Sequence, residues 1–465
     1  MDSFVNKLTS VRPSERQTAW QALGFTAFLH YGINTFTDRE WGNGKESPRD
    51  YNPTDLDTDQ WCQALKSAGI TACIITAKHH DGFCLFDTAH TKHSVMYSPR
   101  PVDVVASLAN SCTKYGLKMG VYLSPWDRNA PTYGSGIEYD DYFCAQLEEL
   151  TTKYGPLYSL WFDGACGEGP NGKKQVYDWN RYYAVIRKNQ PDAVIAVCGP
   201  DVRWIGNEAG YTRPSEWSVV PSRMRKTETT AALSQQSDDT AFRQKPLSSQ
   251  DEDLGSRDFL EEELKRGGEL CWYPAEVDVS IRPGWFYHPK EDNQVRSLEN
   301  LLDIYEKSVG GNAVLLLNIP PDTKGQINPA DAARLKELGD CIRSIYSQNL
   351  LADARASCGH NILVDDDTYW MGSNETEEIE ISLEEPKTLT HIVLCEQTTE
   401  SQRIEAFSIM AEIDGKWCVL YEGTTVGFKK ICRFKPVEVR NLNICIKQSR
   451  VSPTLRYIAG HYEER

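Results

Sequence analysis

Eight short apolar segments recur through the first 320 residues, most separated by a polar turn and a helix-like stretch. Segments 25–32, 72–79, 117–124, 157–164 and 193–199 are clear, 216–221 and 270–278 are weaker, and 313–320 closes the set. Runs such as Ile74-Ile75-Thr76 and Val314-Leu315-Leu316-Leu317 lack alternation, as strands covered on both faces do. Between them, 59–68 sets Trp61, Leu65 and Ala68 at helical spacing before Gly69, and 101–115 opens on Pro101 and stops at Gly116. Strand starts roughly 35–47 residues apart, joined by right-handed crossovers, predict an α/β fold: an irregular (β/α)8 TIM-like barrel. A doubly wound sheet is the alternative, but no glycine-rich phosphate loop follows the first strand.

The repeat degrades after its fifth strand. Residues 226–266 are polar and too long for a simple connection, and read as an irregular, partly mobile replacement of one barrel helix. From about residue 347 short alternating strands take over, at 378–383, 390–395, 406–412, 417–421 and 442–447. That pattern predicts a β-sandwich, hence a barrel domain over 1–345 and a sandwich over 346–465.

A net charge of −16 disfavours nucleic acid and anionic membrane as partners, because phosphates would be repelled. Twelve Trp and 22 Tyr supply flat faces for sugar stacking, although large aromatics mostly build core. The 14 cysteines are scattered singly, without a CxxC pair or metal-ligand spacing, and read as reduced thiols. Residues 1–7 lack the apolar core of a signal peptide, so a cytoplasmic location is expected, with secretion only if a leader has been removed.

In a barrel, catalytic groups sit where strands end and βα-loops begin. Those ends are loaded here: His30-Tyr31-Gly32 then Glu40-Trp41, Lys78-His79-His80-Asp81, Ser124-Pro125-Trp126, Trp161-Phe162-Asp163, Trp204 to Glu208, then Glu276, Arg282, Trp285 and Asn318. The opposite ends, such as Lys118-Met119, carry nothing comparable. Asp163 stands out, since an acid directly after Leu157 to Phe162 is costly to bury without a role. Capping the next helix or pairing with a lysine is its bland alternative. Glycoside chemistry needs a second carboxyl, and Asp201, Glu208, Glu216 and Glu276 all qualify by position.

His30, His79 and His80 with Asp163 suit either a metal or sugar hydroxyls. Adjacent His79 and His80 would point to opposite strand faces, which disfavours the metal. His90, His93 and His288 read as surface or packing residues. Trp41, Trp126, Trp161 and Trp285, all near strand ends, suggest a stacking platform. The glycine-rich run 164–172 lacks the Lys-Ser/Thr ending of a phosphate loop and reads as a tight site loop.

At these residues the chain resembles the α-L-fucosidases of glycoside hydrolase family 29. His30-Tyr31-Gly32, Lys78-His79-His80-Asp81-Gly82-Phe83, Leu160-Trp161-Phe162-Asp163-Gly164 and Leu316-Leu317-Asn318-Ile319-Pro320-Pro321 carry the likeness over most of residues 15–345. Ile404-Glu405-Ala406-Phe407 and Asp414-Gly415-Lys416-Trp417 resemble the discoidin-like sandwich often attached to such barrels. The resemblance implies a retaining exo-fucosidase with Asp163 as nucleophile and no catalytic cofactor or metal. It implies a fucose pocket of His30, Glu40, Trp41, His79, His80, Trp161 and Trp285, with Trp126 alongside. Segments 124–129 and 163–172 resemble the subgroup specific for α-1,3/1,4 linkages in Lewis-type glycans, where the Trp204–Glu208 segment supplies the acid/base. On that basis Glu208 is expected in the role, with Glu216 in reserve. Fucosylated glycans are the expected partners, and the sandwich is expected to brace the barrel rather than bind sugar or Ca²⁺.

Overall fold

The structure is a computed structural model, and it describes residues 3–234 and 253–464. Its first sheet contains β1 (Phe25–Leu29), β2 (Ala72–Lys78), β3 (Lys118–Leu123), β4 (Leu157–Phe162), β5 (Val194–Val197), β6 (Arg203–Trp204), β7 (Ala275–Ser280) and β8 (Ala313–Asn318). They pair in the order β5-β4-β3-β2-β1-β8-β7-β6, every pairing parallel. A single parallel bridge, Ala196 to Val202, spans the remaining gap between β5 and β6. The result is a nearly closed eight-stranded barrel.

Period-two alternation divides the side chains between two cores. Phe25, Ala27 and Leu29 face the surrounding helices, as do Cys73, Ile75, Ala77, Leu315 and Leu317. Phe28, Ile74, Tyr122, Trp161, Val194, Ala196, Trp204, Val314 and Leu316 fill the barrel interior. The helices start where their caps dictate. Asp57 accepts from Gln60 N at 3.0 Å ahead of Thr58–Ser67, and Asp103 accepts from Ala106 N at 2.8 Å ahead of Val104–Tyr115. Gly116, at φ 70°, ends the second of these in the left-handed conformation that glycine adopts without strain.

One of the expected barrel strands lies elsewhere, and a second gives only its C-terminal part to the barrel, as β7. Val219–Pro221 pairs antiparallel with Leu270–Trp272 outside the barrel, and the expected strand 270–278 splits at Pro274, which cannot donate to a ladder. The sixth barrel strand is instead the two-residue Arg203–Trp204. Within the irregular stretch 226–266, Thr227–Ser234 and Arg257–Lys265 are helical, while 235–252 lies outside the described residues.

Lys78 ends β2 with no solvent exposure. Its Nζ donates to Asp127 Oδ2 and to Gln146 Oε1, each at 2.9 Å. Replacing Lys78 with Met strands the Asp127 charge in the interior, so unfolding free energy is expected to fall by about 3–5 kcal/mol. A denaturant titration followed by tryptophan fluorescence measures the loss.

Helix Pro329–Tyr346 leads into a second core that runs from Leu351 to Ile458. There Glu377–Cys395 pairs antiparallel with Lys430–Ser449 and Tyr457–His461, and Ile404–Ile413 with Lys416–Gly423. Register shifts at Ser382/Lys387 and Leu389/His391 bend the long strand, as a sandwich around one core requires. The sandwich grips the barrel through Arg257 on Glu405 at 2.7 Å and Arg433 on Glu306 at 3.0 Å. Phe428 N also donates to Asn312 Oδ1 at 2.7 Å. Among the described residues, no helix is long and apolar enough to cross a membrane.

Candidate active site

Asp163 directly follows β4 at the mouth of the barrel. Its Oδ2 accepts from the Tyr122 hydroxyl at 2.9 Å and its Oδ1 from Ala165 N at 2.8 Å. Two donors of fixed position hold the carboxylate in place and aimed at the pocket. Around it, one pocket is lined by His30, Glu40, Trp41, His79, His80, Trp161, Glu208 and Trp285, together with Phe28, Ala165, Ser234 and Asp278. Trp126 stands one step back, its ring 5.0 Å from His80 and 5.7 Å from Trp41, with Nε1 donating to Glu168 O at 3.0 Å. The run 164–172 wraps against it so closely that a Cβ on Gly167 would fall 2.3 Å from the indole.

The three histidines all reach the pocket. His79 and His80 lie beyond the end of β2, so strand alternation no longer separates them, and their rings sit 4.1 Å apart. Burial drives His30 down to about 3, against the pull of Asn318 and with His80 adding to the fall. It drives His80 down to about 4 although Asp163 pulls upward, and holds His79 well below the usual range. All three rings are neutral at pH 7, and their partners set the tautomers. Ser124 Oγ donates to Trp126 O at 2.6 Å and so accepts from His80 Nδ1 at 2.7 Å, leaving Nε2 as an acceptor 3.7 Å from Asp163. Asn318 Oδ1 accepts from His30 N and, at 2.9 Å, from His30 Nδ1. Asn34 Nδ2 donates to His79 Nδ1 at 3.4 Å, which leaves Nε2–H as a donor. The pocket therefore offers two ring acceptors and one ring donor, a set suited to hydroxyl groups.

Glu40 is fixed by Trp285 N at 2.9 Å, Phe286 N at 3.1 Å and His288 Nε2 at 2.7 Å. His288, expected at the surface or in packing, is buried between Glu40 and Asp38. Burial lowers its proton affinity, but the two carboxylates outweigh that and the net shift is upward from 6.5. A raised folded-state value stabilises the fold below the ordinary imidazole range and is lost as pH climbs through that value. The His288→Asn variant is accordingly expected to lose stability most at acidic pH, the gap to wild type narrowing above pH 6.5. Denaturant midpoints measured across pH check this.

Of the candidate second carboxyls, only Glu208 opens on the pocket with Asp163, its Oε2 accepting from Trp285 Nε1 at 3.0 Å. Glu216 is buried on Arg203 and Arg213, and Asp201 pairs with Arg16 and Arg187. Glu276 lies inside the barrel, with Trp161 Nε1 donating to it at 2.7 Å. Sequence reasoning missed Tyr122, Asn34, His288 and Asp278. Tyr122 was findable, because alternation along β3 turns it inward one residue before the strand end.

His79, His80 and Asp163 each bring one ligand atom within 4.8 Å of the others. Neutral imidazoles suit a metal and a sugar equally. Ser124 and Asn34 already fix the Nδ1 atoms of His80 and His79, so only their Nε2 atoms face the pocket.

The alpha-L-fucosidase family model matches residues 25–345. "Alpha-L-fucosidase 1" of Arabidopsis thaliana is 38% identical over 475 residues, covering 97% of this chain and 88% of its own. A Bacteroides ovatus crystal structure superposes with a TM-score of 0.87 at 45% identity, covering 99% of this chain and 76% of that one. A Ruminococcus gnavus GH29 fucosidase in complex with fucose gives 0.82 at 28% identity, covering 98% and 96%.

Proposed function

This chain belongs to the alpha-L-fucosidase family and is a glycoside hydrolase, and on that premise we propose that it removes terminal α-1,3/1,4-linked fucose from Lewis-type glycans with retention. The observation that carries the reading is Asp163, held by Tyr122 and Ala165 in one pocket with Glu208. Asp163 attacks the anomeric carbon while Glu208 protonates the departing glycosidic oxygen. Water, activated by Glu208 as base, then cleaves the fucosyl ester and regenerates both groups. His30, His79, His80 and Glu40 bind sugar hydroxyls, one of which donates to His80 Nε2, an acceptor that otherwise faces Asp163 Oδ2 at 3.7 Å. Trp41, Trp161 and Trp285 give the sugar its apolar walls, with Trp126 supporting them from behind.

No metal takes part in this scheme, so overnight chelation is expected to leave turnover unchanged. Loss on chelation with recovery on adding a divalent ion would make His79, His80 and Asp163 a metal centre instead. A reducing, cytoplasmic setting fits the cysteines, all unpaired among the described residues.

The linkage preference rests on segments 124–129 and 163–172. Its test is fucose release from Lewis-type trisaccharides beside 2′-fucosyllactose. Release from the branched substrates alone is expected. Equal release from both favours a fucosidase of broader linkage specificity, and transfer to added sugar acceptors would reveal a transfucosidase.

A further inference from the structure

Four carboxyl groups, Glu40, Asp163, Glu208 and Asp278, line the one pocket, and among its described lining residues there is no lysine or arginine. With its three histidines neutral, the carboxyls rely on hydrogen-bond donors to favour their charged forms, and the donors are unevenly shared. Glu40 has two backbone N–H groups and His288, and Asp163 has Tyr122 and Ala165. Asp278 has one side-chain donor, Trp204 Nε1, at 2.9 Å on Oδ1. Among the described residues no other side chain donates to it, and Asp278 lines the pocket.

Strand β7 places it there. Ala275, Val277 and Val279 face the helices, whereas Glu276, Asp278 and Ser280 face inward. One layer below, Glu276 shows the same arrangement, with one oxygen on Trp161 and the other without a partner. Burial pushes Glu276 up to about 8, against the Trp161 bond and with Asp278 adding to the rise. It pushes Asp278 up to about 7, against its own backbone N–H and Trp204 and with Asp163 adding.

We propose that Asp278 is a sugar-positioning residue that works as a neutral carboxylic acid, one oxygen on the Trp204 indole and the protonated one donating to a hydroxyl oxygen of the bound sugar. The inference rests on Asp163 being the nucleophile. In a pocket where the His30 and His80 Nε2 atoms accept, the Asp278 proton joins His79 Nε2–H and the Glu208 proton as a donor that complements the sugar's oxygens. Ionising Asp278 removes that donor and turns an acceptor-only group on a ligand oxygen, which costs more than the bond it replaces. The groups facing it are Asp163, Glu208, Glu40, His30, His79 and His80 around the pocket and Glu276 on its own strand.

The test is the pH dependence of kcat/KM on an aryl fucoside in a Glu208→Gln background, where the leaving group needs no acid and the alkaline limb of Glu208 is gone. An alkaline limb should remain, and adding Asp278→Asn should move it up by about one pH unit or more, a tenfold gain on that limb. Trp204→Phe, which removes the donor that favours the ionised form, should move it the same way and guards against a misfolded Asp278 variant. The assignment is overturned if neither change moves the limb, or if Glu276→Gln moves it instead. Turnover retained by Asp163→Ala would sink the nucleophile assignment separately.

Discussion

Asp163→Ala is expected to lower kcat on natural glycans by on the order of 10⁴-fold or more, because removing the nucleophile of a covalent mechanism abolishes the route itself. Tyr122 and Ala165 lose their acceptor in the same change, so a modest loss of stability accompanies it, about 1–2 kcal/mol. The two effects separate cleanly. A small external nucleophile such as azide fits the space vacated by the carboxylate and should restore turnover of activated aryl fucosides, yielding the inverted fucosyl azide. Simple destabilisation gives no such product. Steady-state assays with and without azide, with product configuration read by NMR, decide between them.

Glu208→Ala should divide substrates by leaving group. For a Lewis-type trisaccharide the departing oxygen is strongly basic and needs a proton, so kcat/KM should fall roughly 10²–10⁴-fold. For an aryl fucoside with an acidic phenol, kcat/KM should change little, while kcat falls because water loses its base in the second step. Full activity on the trisaccharide would remove Glu208 from the mechanism. Trp285 is the control, since its indole donates to Glu208 at 3.0 Å. Trp285→Phe keeps the apolar wall but drops that donor, and should weaken the trisaccharide more than the aryl fucoside, by less than Glu208→Ala does.

The barrel was legible because buried parallel strands are written as unbroken apolar runs, and nine of the ten site residues named from strand ends and their loops line one pocket, with Trp126 a step behind. The sixth strand was not legible. Arg203–Trp204 is too short to make a pattern, while 216–221 reads as a buried strand whether its partner is in the barrel or, as here, Leu270–Trp272. Alternation also told less than it could at β7, where Glu276 and Asp278 turn polar groups into a core and sequence reading weighed only Glu276. Long-range partners were beyond reach. Nothing near His288 in the chain announces Glu40, 248 residues away, and nothing near Tyr122 announces Asp163. Spacing could not choose among the second carboxyls, and the preference for Glu208 over Glu216 came from the family resemblance alone; the structure gives Glu216 two arginines and opens Glu208 on the pocket.

The central claim is a covalent fucosyl-enzyme on Asp163, and trapping it is the most direct test. Incubation with 2-deoxy-2-fluoro-fucosyl fluoride, which slows the second step more than it blocks the first, should add one fluorofucosyl group per chain. Peptide mapping by mass spectrometry should place it on Asp163, within the segment that ends β4. A label on Glu208 or Asp278, or rapid turnover that yields inverted fucose with no label at all, would contradict the account.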